Sequence, residues 1–224
     1  MMELYHCVSA RSFRPLWTLA ELGKVHGRDY QLTVMPFPPR VHQRDFLQCN
    51  PLGTVPAFRD GGVWMTESAA ITQYLVSREP ESALALTPAD ADYGAWLNAL
   101  HYGEATLTFP QTLVLRYGRF ESPERLQPQV VEDYQRWFLA RLKVLEPQLQ
   151  QRDWLCAQRF TAADISVGYA LMLADGLGLL PMAGPATQAY WQRLQSRAGF
   201  QQALQVQAEA ARAQGVPEAA AFKA

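Results

Sequence analysis

Three short stretches hold residue types whose spacing could do chemistry. In Asn50-Pro51-Leu52-Gly53-Thr54-Val55-Pro56-Ala57-Phe58, Pro56 opens a short apolar strand. Having no N–H, it cannot join a sheet ladder, and an X–Pro bond in an ordered turn is a place where a cis peptide can be used. The N–H and C=O of Val55 are then left to meet a ligand's backbone. Past the hairpin signal Asp60-Gly61-Gly62, Val63-Trp64-Met65 leads into a helix whose first turn carries Glu67 and Ser68. Helix N-termini gather carboxylates through their N–H groups and the helix dipole. A backbone-recognition turn is thus joined to an anion site. Near the N-terminus the turn Ser9-Ala10-Arg11-Ser12 adds two hydroxyls and a guanidinium, groups that can stabilise a further anion.

The elements that must position these groups follow from period and punctuation. Glu3 to Cys7 reads as a strand. Phe13 to Leu22 reads as a helix, with Leu16, Leu19, Ala20 and Gly23 on one face, Ser12 as N-cap and Pro15 tolerated in the first turn. Tyr30 to Met35 is a second strand, Pro36-Phe37-Pro38-Pro39 a loop, Val41 to Gln48 a short helix, and Glu67 to Ser77 the helix after the hairpin. The order β-α-β-α-β-β-α is a thioredoxin-like layout with a right-handed crossover between the first two strands.

Around Arg78 to Pro88 the pattern breaks, and the remainder of the chain is helical in period. The expected organisation is α/β plus all-α: a thioredoxin-like domain over 1–78, a linker over 79–88 and a C-terminal helical bundle over 89–224. Within the bundle, Ala89 to Arg116 reads as one long helix bent at Pro110. Glu124 to Gln150 reads as another, with Val131, Tyr134, Phe138, Leu142, Leu145 and Leu149 on its buried face. Phe160-Thr161-Ala162-Ala163-Asp164-Ile165 has the form of a capping box, with Phe160 stapled onto Ile165. Helices through Leu177, over 185–197 and over 200–213 complete the bundle, and the Ala-rich tail after Gly215 is expected to be poorly ordered.

Composition narrows the function. A chain of 224 residues, 49% apolar, can bury one large core or two modest ones. A net charge of -1 without a Lys/Arg cluster argues against nucleic acid, and no basic amphipathic face points to a membrane. Met1-Met2-Glu3 lacks the features of a signal peptide, no apolar run reaches membrane-spanning length, and the chain reads as cytoplasmic. The three cysteines, Cys7, Cys49 and Cys156, fit a reducing compartment and read as packing residues; the four histidines, His6, His26, His42 and His101, have no metal-ligand spacing. Tyr5, inside the first strand, reads as structural.

The motif Asn-Pro-x-Gly-x-Val-Pro, the hairpin, and Glu-Ser-x-Ala-Ile together resemble the glutathione-site half of the cytosolic glutathione transferases, of a bacterial, serine-type kind. The resemblance implies glutathione as co-substrate, no metal, a homodimer, and a cis Val-Pro bond that pairs with the cysteinyl backbone of glutathione. These roles fall on Val55 and Pro56, the γ-glutamyl end on Glu67 and Ser68, and the glycyl carboxylate on His42 and Gln43. The implied reaction is attack of glutathione thiolate on a small hydrophobic electrophile. Isomerisation or peroxide reduction on the same fold, and a non-catalytic glutathione-binding or scaffold protein, are the competing readings. The second substrate would meet the thiol at the domain cleft, with Tyr102, Phe109, Arg116 and Tyr117 as candidates.

Activation requires the thiolate. Lowering a thiol pKa by about two units from a reference near 8.5 takes roughly 2.7 kcal/mol of preference for the anion. A hydroxyl donating to charged sulfur supplies about 1.5–3 kcal/mol and a helix N-terminus about 0.3–1. Aligned on the family's helix pattern, Phe13-Arg14-Pro15-Leu16-Trp17-Thr18-Leu19 puts Ser9 at the activating position and Ser12 on the helix cap. Many relatives with the Ser-Phe-Arg-x-Leu-Trp stretch carry a serine one step later, where this chain has Ala10. Ser9 is therefore the first candidate donor, Ser12 the second, and Arg11 an alternative acting by charge.

Overall fold

The computed structural model describes residues 1–220 and Phe222. The chain forms two compact units, Met1–Ser82 with Ser196–Ala224, and Ala83–Gln195. In the first unit, β1 (Met2–His6) is followed by α1 (Phe13–Glu21), β2 (Tyr30–Val34), the short helices α2 (Pro39–His42) and α3 (Phe46–Cys49), β3 (Ala57–Asp60), β4 (Val63–Met65) and α4 (Ser68–Ser77). The sheet has the order β2-β1-β3-β4. β1 runs parallel to β2 across the α1 crossover and antiparallel to β3, and β3 and β4 form the hairpin. The single helix expected over Val41 to Gln48 is two short ones. α1 is buried without interruption from Phe13 to Ala20, because elements cover more than the one face its periodicity announces.

The second unit is all-helical. α5 (Tyr93–His101), a π-helical stretch (Tyr102–Thr108), α6 (Phe109–Leu115) and a second π-helical stretch (Arg116–Phe120) form the run expected as one α-helix bent at Pro110. Pro110 lies in the first turn of α6, and the wider turns before it absorb the N–H that proline lacks. Side chains take up nearby carbonyls: Thr108 Oγ1 donates to Gly103 O at 2.7 Å and Gln111 Nε2 to Leu107 O at 2.9 Å. Next come α7 (Pro128–Leu142), a 3₁₀ turn, α8 (Glu146–Leu149), α9 (Ala162–Gly176) and α10 (Pro185–Gln195). The α5 run crosses α9 so closely that a Cβ on Gly103 would stand 2.5 Å from Ser166 Oγ. The capping box is present at the start of α9. Phe160, expected as a staple onto Ile165, packs edge-on against Trp154 at 5.4 Å. Glu146 meets the N-terminus of α10, accepting from Ala186 N at 2.8 Å and Thr187 N at 3.0 Å.

α11 (Ala198–Ala213) belongs by its contacts to the first unit, whereas the sequence pattern assigns everything after residue 88 to the helical domain. Its anchors are specific. The Phe200 ring stands edge-on to Phe13 at 5.6 Å and Trp17 at 4.9 Å. Arg197 pairs with Glu21 at 2.7 Å, a carboxylate that also accepts from Trp17 Nε1 at 2.9 Å. Just past the helix, Gln214 accepts from Val34 N and donates to Leu32 O, both at 2.9 Å, and so occupies the outer edge of β2. The tail is not loose as far as Ala220: Val216 N donates to Ala211 O at 2.9 Å, and Ala220 is 6% exposed. The rest of that expectation falls partly on Ala221, Lys223 and Ala224, which lie outside the described residues.

Candidate functional site

The sheet register gathers the three stretches at one edge. Tyr5 pairs with Ala57 and Phe58 with Met65, so the turn after β1, the Val55–Pro56 step before β3 and the Glu67–Ser68 step after β4 leave the sheet at the same end. Cys7, Val55 and Ala57 share one buried cluster, with Ala10 packed against it. The Val55–Pro56 bond is cis, as is Phe37–Pro38.

At the start of α4, Glu67 occupies the N-cap position and is exposed, while Ser68 is 2% exposed. Arg14, fully buried in α1, donates from Nη1 to Ser68 Oγ at 3.0 Å. In the sequence Arg14 figures only as part of a helix pattern. The structure makes it a buried cation at the anion end of the site, and because Ser68 accepts from it, the Ser68 hydroxyl hydrogen is directed elsewhere.

The turn after β1 separates the candidate donors. Ser12 occupies the N-cap position of α1, yet its side chain does not cap the helix. It is fully buried, accepts from Cys7 N at 3.3 Å and lies 2.8 Å from His6 Nδ1. His6 is itself fully buried, and its Nε2 lies 3.1 Å from Gln207 Oε1. That oxygen also accepts from Ser9 N at 3.0 Å, while Gln207 Nε2 approaches Ser9 Oγ at 3.4 Å. One assignment satisfies every bond. The backbone N–H of Ser9 must face an oxygen, so Gln207 Oε1 points at it; His6 Nε2 therefore carries hydrogen, Nδ1 accepts, and Ser12 is its donor. The Ser12 hydrogen is committed to His6, whereas Ser9 accepts from Gln207 and sends its own hydrogen elsewhere. Burial pushes the His6 pKa down to about 4, against the raising effect of its hydrogen bonds, which keeps the ring neutral. Ser9 is 8% exposed and sits at φ 56°, a left-handed conformation unusual for a residue with a β-carbon. Arg11 is half-buried in the same turn.

The remaining candidates scatter. His42 and Gln43 are exposed at the end of α2. Val8, next to Ser9, lines a cavity of about 290 Å³ with Met35, Phe37, His42, Val216 and Pro217, a mostly apolar hollow to which the tail contributes. In the helical unit, Tyr102 donates its hydroxyl to Arg141 O at 2.6 Å. Phe109 is 54% exposed, and Arg116 pairs with Glu121 at 2.8 Å while lying over the Tyr117 ring. Tyr5 is half-buried between Phe46 and Trp64. Burial pushes the Cys7 and Cys156 thiols up to about 12, whereas Cys49, expected as a packing residue, is exposed.

Residues 1–77 match the family model described as "Glutathione S-transferase, N-terminal domain". Over 214 residues the chain is 30% identical to glutathione S-transferase GstA of Escherichia coli O157:H7, covering 91% of this chain and 97% of the relative. A sphingomonad glutathione S-transferase solved in complex with glutathione superposes with a TM-score of 0.78 at 25% identity, covering 91% of this chain and 98% of that one. A Phanerochaete chrysosporium glutathione transferase, URE2P8, solved with oxidised glutathione, superposes at 0.80 with 20% identity over 96% and 97% of the two chains, which speaks to the fold alone.

Proposed function

The chain belongs to the glutathione S-transferase family, and from that premise we propose that it binds glutathione at the edge where β1, β3 and β4 end, ionises its thiol beside Ser9, and adds the thiolate to a small apolar electrophile. The observation that carries the reading is the division of labour between the two serines. Ser12 is fully buried and engages His6 and Cys7 N, whereas Ser9, next to Val8 of the apolar hollow, accepts from Gln207 at its hydroxyl.

The chemistry then runs through this chain's residues. The Val55 backbone pairs with the central residue of glutathione. Its γ-glutamyl carboxylate docks at the N-terminus of α4, where Ser68, held by Arg14, donates to it. His42 and Gln43 attract the glycyl carboxylate by hydrogen bonding from an exposed position. The thiol loses its proton to solvent, and the Ser9 hydroxyl donates to the sulfur anion with about 1.5–3 kcal/mol of preference for the charged form. That is the size needed to bring a thiol pKa from near 8.5 toward neutrality. The sulfur lone pair then forms the S–C bond to an electrophile seated in the hollow next to Val8, whose lining favours small apolar groups; the carbon either releases its leaving group with the bonding pair to solvent or, in an activated alkene, passes its π pair to the neighbouring atom, which takes a proton from solvent.

The test is an ultraviolet difference spectrum of glutathione added to the protein at neutral pH. A thiolate band from the bound peptide supports activation. Saturable binding without that band makes the protein a glutathione binder and removes the catalytic reading.

A further inference from the structure

We propose that His42 is a specificity-determining residue whose imidazole donates a hydrogen bond to the second substrate, so that the site takes small apolar electrophiles with the reactive carbon conjugated to a carbonyl. The inference rests on the hollow next to Val8 receiving that substrate.

At about 290 Å³ the hollow stands at the lower bound of ordinary small-molecule pockets, roughly 300–1,000 Å³, and admits one small molecule. Val8, Met35, Phe37, Val216 and Pro217 give it apolar walls. Among the described residues that line it, His42 brings the one side chain with an N–H. That imidazole has no hydrogen-bond or ionic partner among the described residues, so its N–H is available to a ligand. Its backbone is well held. Proline at 36, 38 and 39 restricts the chain leading into α2, and Val41 N and His42 N both donate to Pro38 O, at 3.0 and 3.3 Å. The tail residues of the lining are held as well: Val216 N donates to Ala211 O at 2.9 Å, and Gln214 binds the edge of β2 just before Met35.

A single donor on an apolar lining selects substrates by the acceptor they bring to it. In the addition to a conjugated carbonyl, the sulfur lone pair forms the S–C bond at the β-carbon, the C=C π pair moves beside the carbonyl carbon, and the carbonyl π pair moves onto oxygen. The α-carbon then takes a proton from solvent and the carbonyl is restored. The oxygen gains charge only as the S–C bond forms, so the imidazole N–H holds the transition state more tightly than the ground state. A halide substrate offers no such oxygen, and its halide leaves with the bonding pair to solvent. An imidazole has two ring nitrogens on separate edges, and both donate when it is protonated, which leaves one for the glycyl carboxylate and one for the second substrate.

The experiment compares cyclohex-2-enone with benzyl chloride, at saturating glutathione, in the unaltered protein, His42→Phe and Gln43→Ala. The ratio of kcat/KM for the two electrophiles within each protein cancels any loss of glutathione binding. His42→Phe should lower the enone-to-halide ratio about tenfold, the size of one hydrogen bond to a charged group, with the loss in kcat. Gln43, exposed next to His42 but outside the lining, should leave the ratio where it is when changed to Ala. An unchanged ratio in His42→Phe, or an equal fall in Gln43→Ala, would overturn the proposal and leave the transferase reading intact. If neither electrophile is turned over, that reading fails, and the imidazole ¹⁵N shifts of His42, titrated with cyclohexanone and with methylcyclohexane, decide the donor role by themselves. A saturable shift with the ketone alone supports it; no shift, or the same shift with both, refutes it.

Discussion

Each unit buries a polar network around one titratable side chain, and the two are built to opposite plans. In the first, Ser12 donates to His6, His6 to Gln207 and Gln207 to the Ser9 hydroxyl, while Ser9 N donates back to the Gln207 oxygen. In the second, Asp164 is an end point: Thr161 N at 2.8 Å, Leu155 N at 3.0 Å and the Tyr190 hydroxyl at 2.8 Å all donate to its carboxylate. The Asp164 network converges on one carboxylate at the start of α9, whereas the His6 network reaches the hydroxyl of Ser9 in the turn after β1. Burial of polar groups therefore does not by itself mark a functional site.

The contrast can be broken at either network. The largest effect is expected at Asp164: Asp164→Ala leaves several buried donors without their acceptor and should cost on the order of 3–5 kcal/mol in urea unfolding. Bound glutathione should titrate unchanged in the fraction that stays folded.

Acidification should pull the two units in opposite directions. The His6 pKa is lowered from 6.5 to about 4, so its contribution to stability is complete above pH 6.5 and is lost as pH falls through 4. Burial raises the Asp164 pKa from 3.8 to about 6, so its contribution is complete below 3.8 and is lost as pH rises through 6. Between pH 6.5 and 4 the first unit should weaken, and the second strengthen, by on the order of 2–3 kcal/mol each. Amide hydrogen exchange resolved by residue and corrected for intrinsic rates reads both. Equal movement of the two units would erase the distinction.

Smaller effects are expected within the first unit. Ser9→Ala should reduce turnover about 10- to 100-fold while glutathione affinity and thermal stability hold. Ser68→Ala should weaken glutathione binding about tenfold, measured by calorimetry, without moving the thiol titration. The smallest expected change is that of Ser12→Ala, about 1 kcal/mol of stability from the lost bond to His6.

The features legible in the sequence are the local ones. The Val55–Pro56 step, the hairpin and Glu67–Ser68 are each defined within a few residues, and the Thr161–Asp164 capping box lies within a single helical turn. The missed features depend on distant partners. His6 meets Gln207 across 201 positions, and no periodicity in either segment announces it. The return of α11 to the first unit rests on Phe200 meeting Trp17 and on Gln214 reaching the edge of β2. In sequence these look like one more amphipathic helix. Ser9 adopts a positive φ without being glycine or asparagine, so its special backbone carries no compositional signal. Ser12 stands at the cap position its sequence context indicates but does not cap, because a buried histidine competes for its hydroxyl.

If the two serines of one turn do different work, the thiol of bound glutathione, titrated in Ser9→Ala and in Ser12→Ala side by side, should separate them. A rise of about one to two pH units is expected in the first, at roughly 1.4 kcal/mol per unit, and the wild-type value in the second. A rise in Ser12→Ala with no change in Ser9→Ala would contradict the assignment.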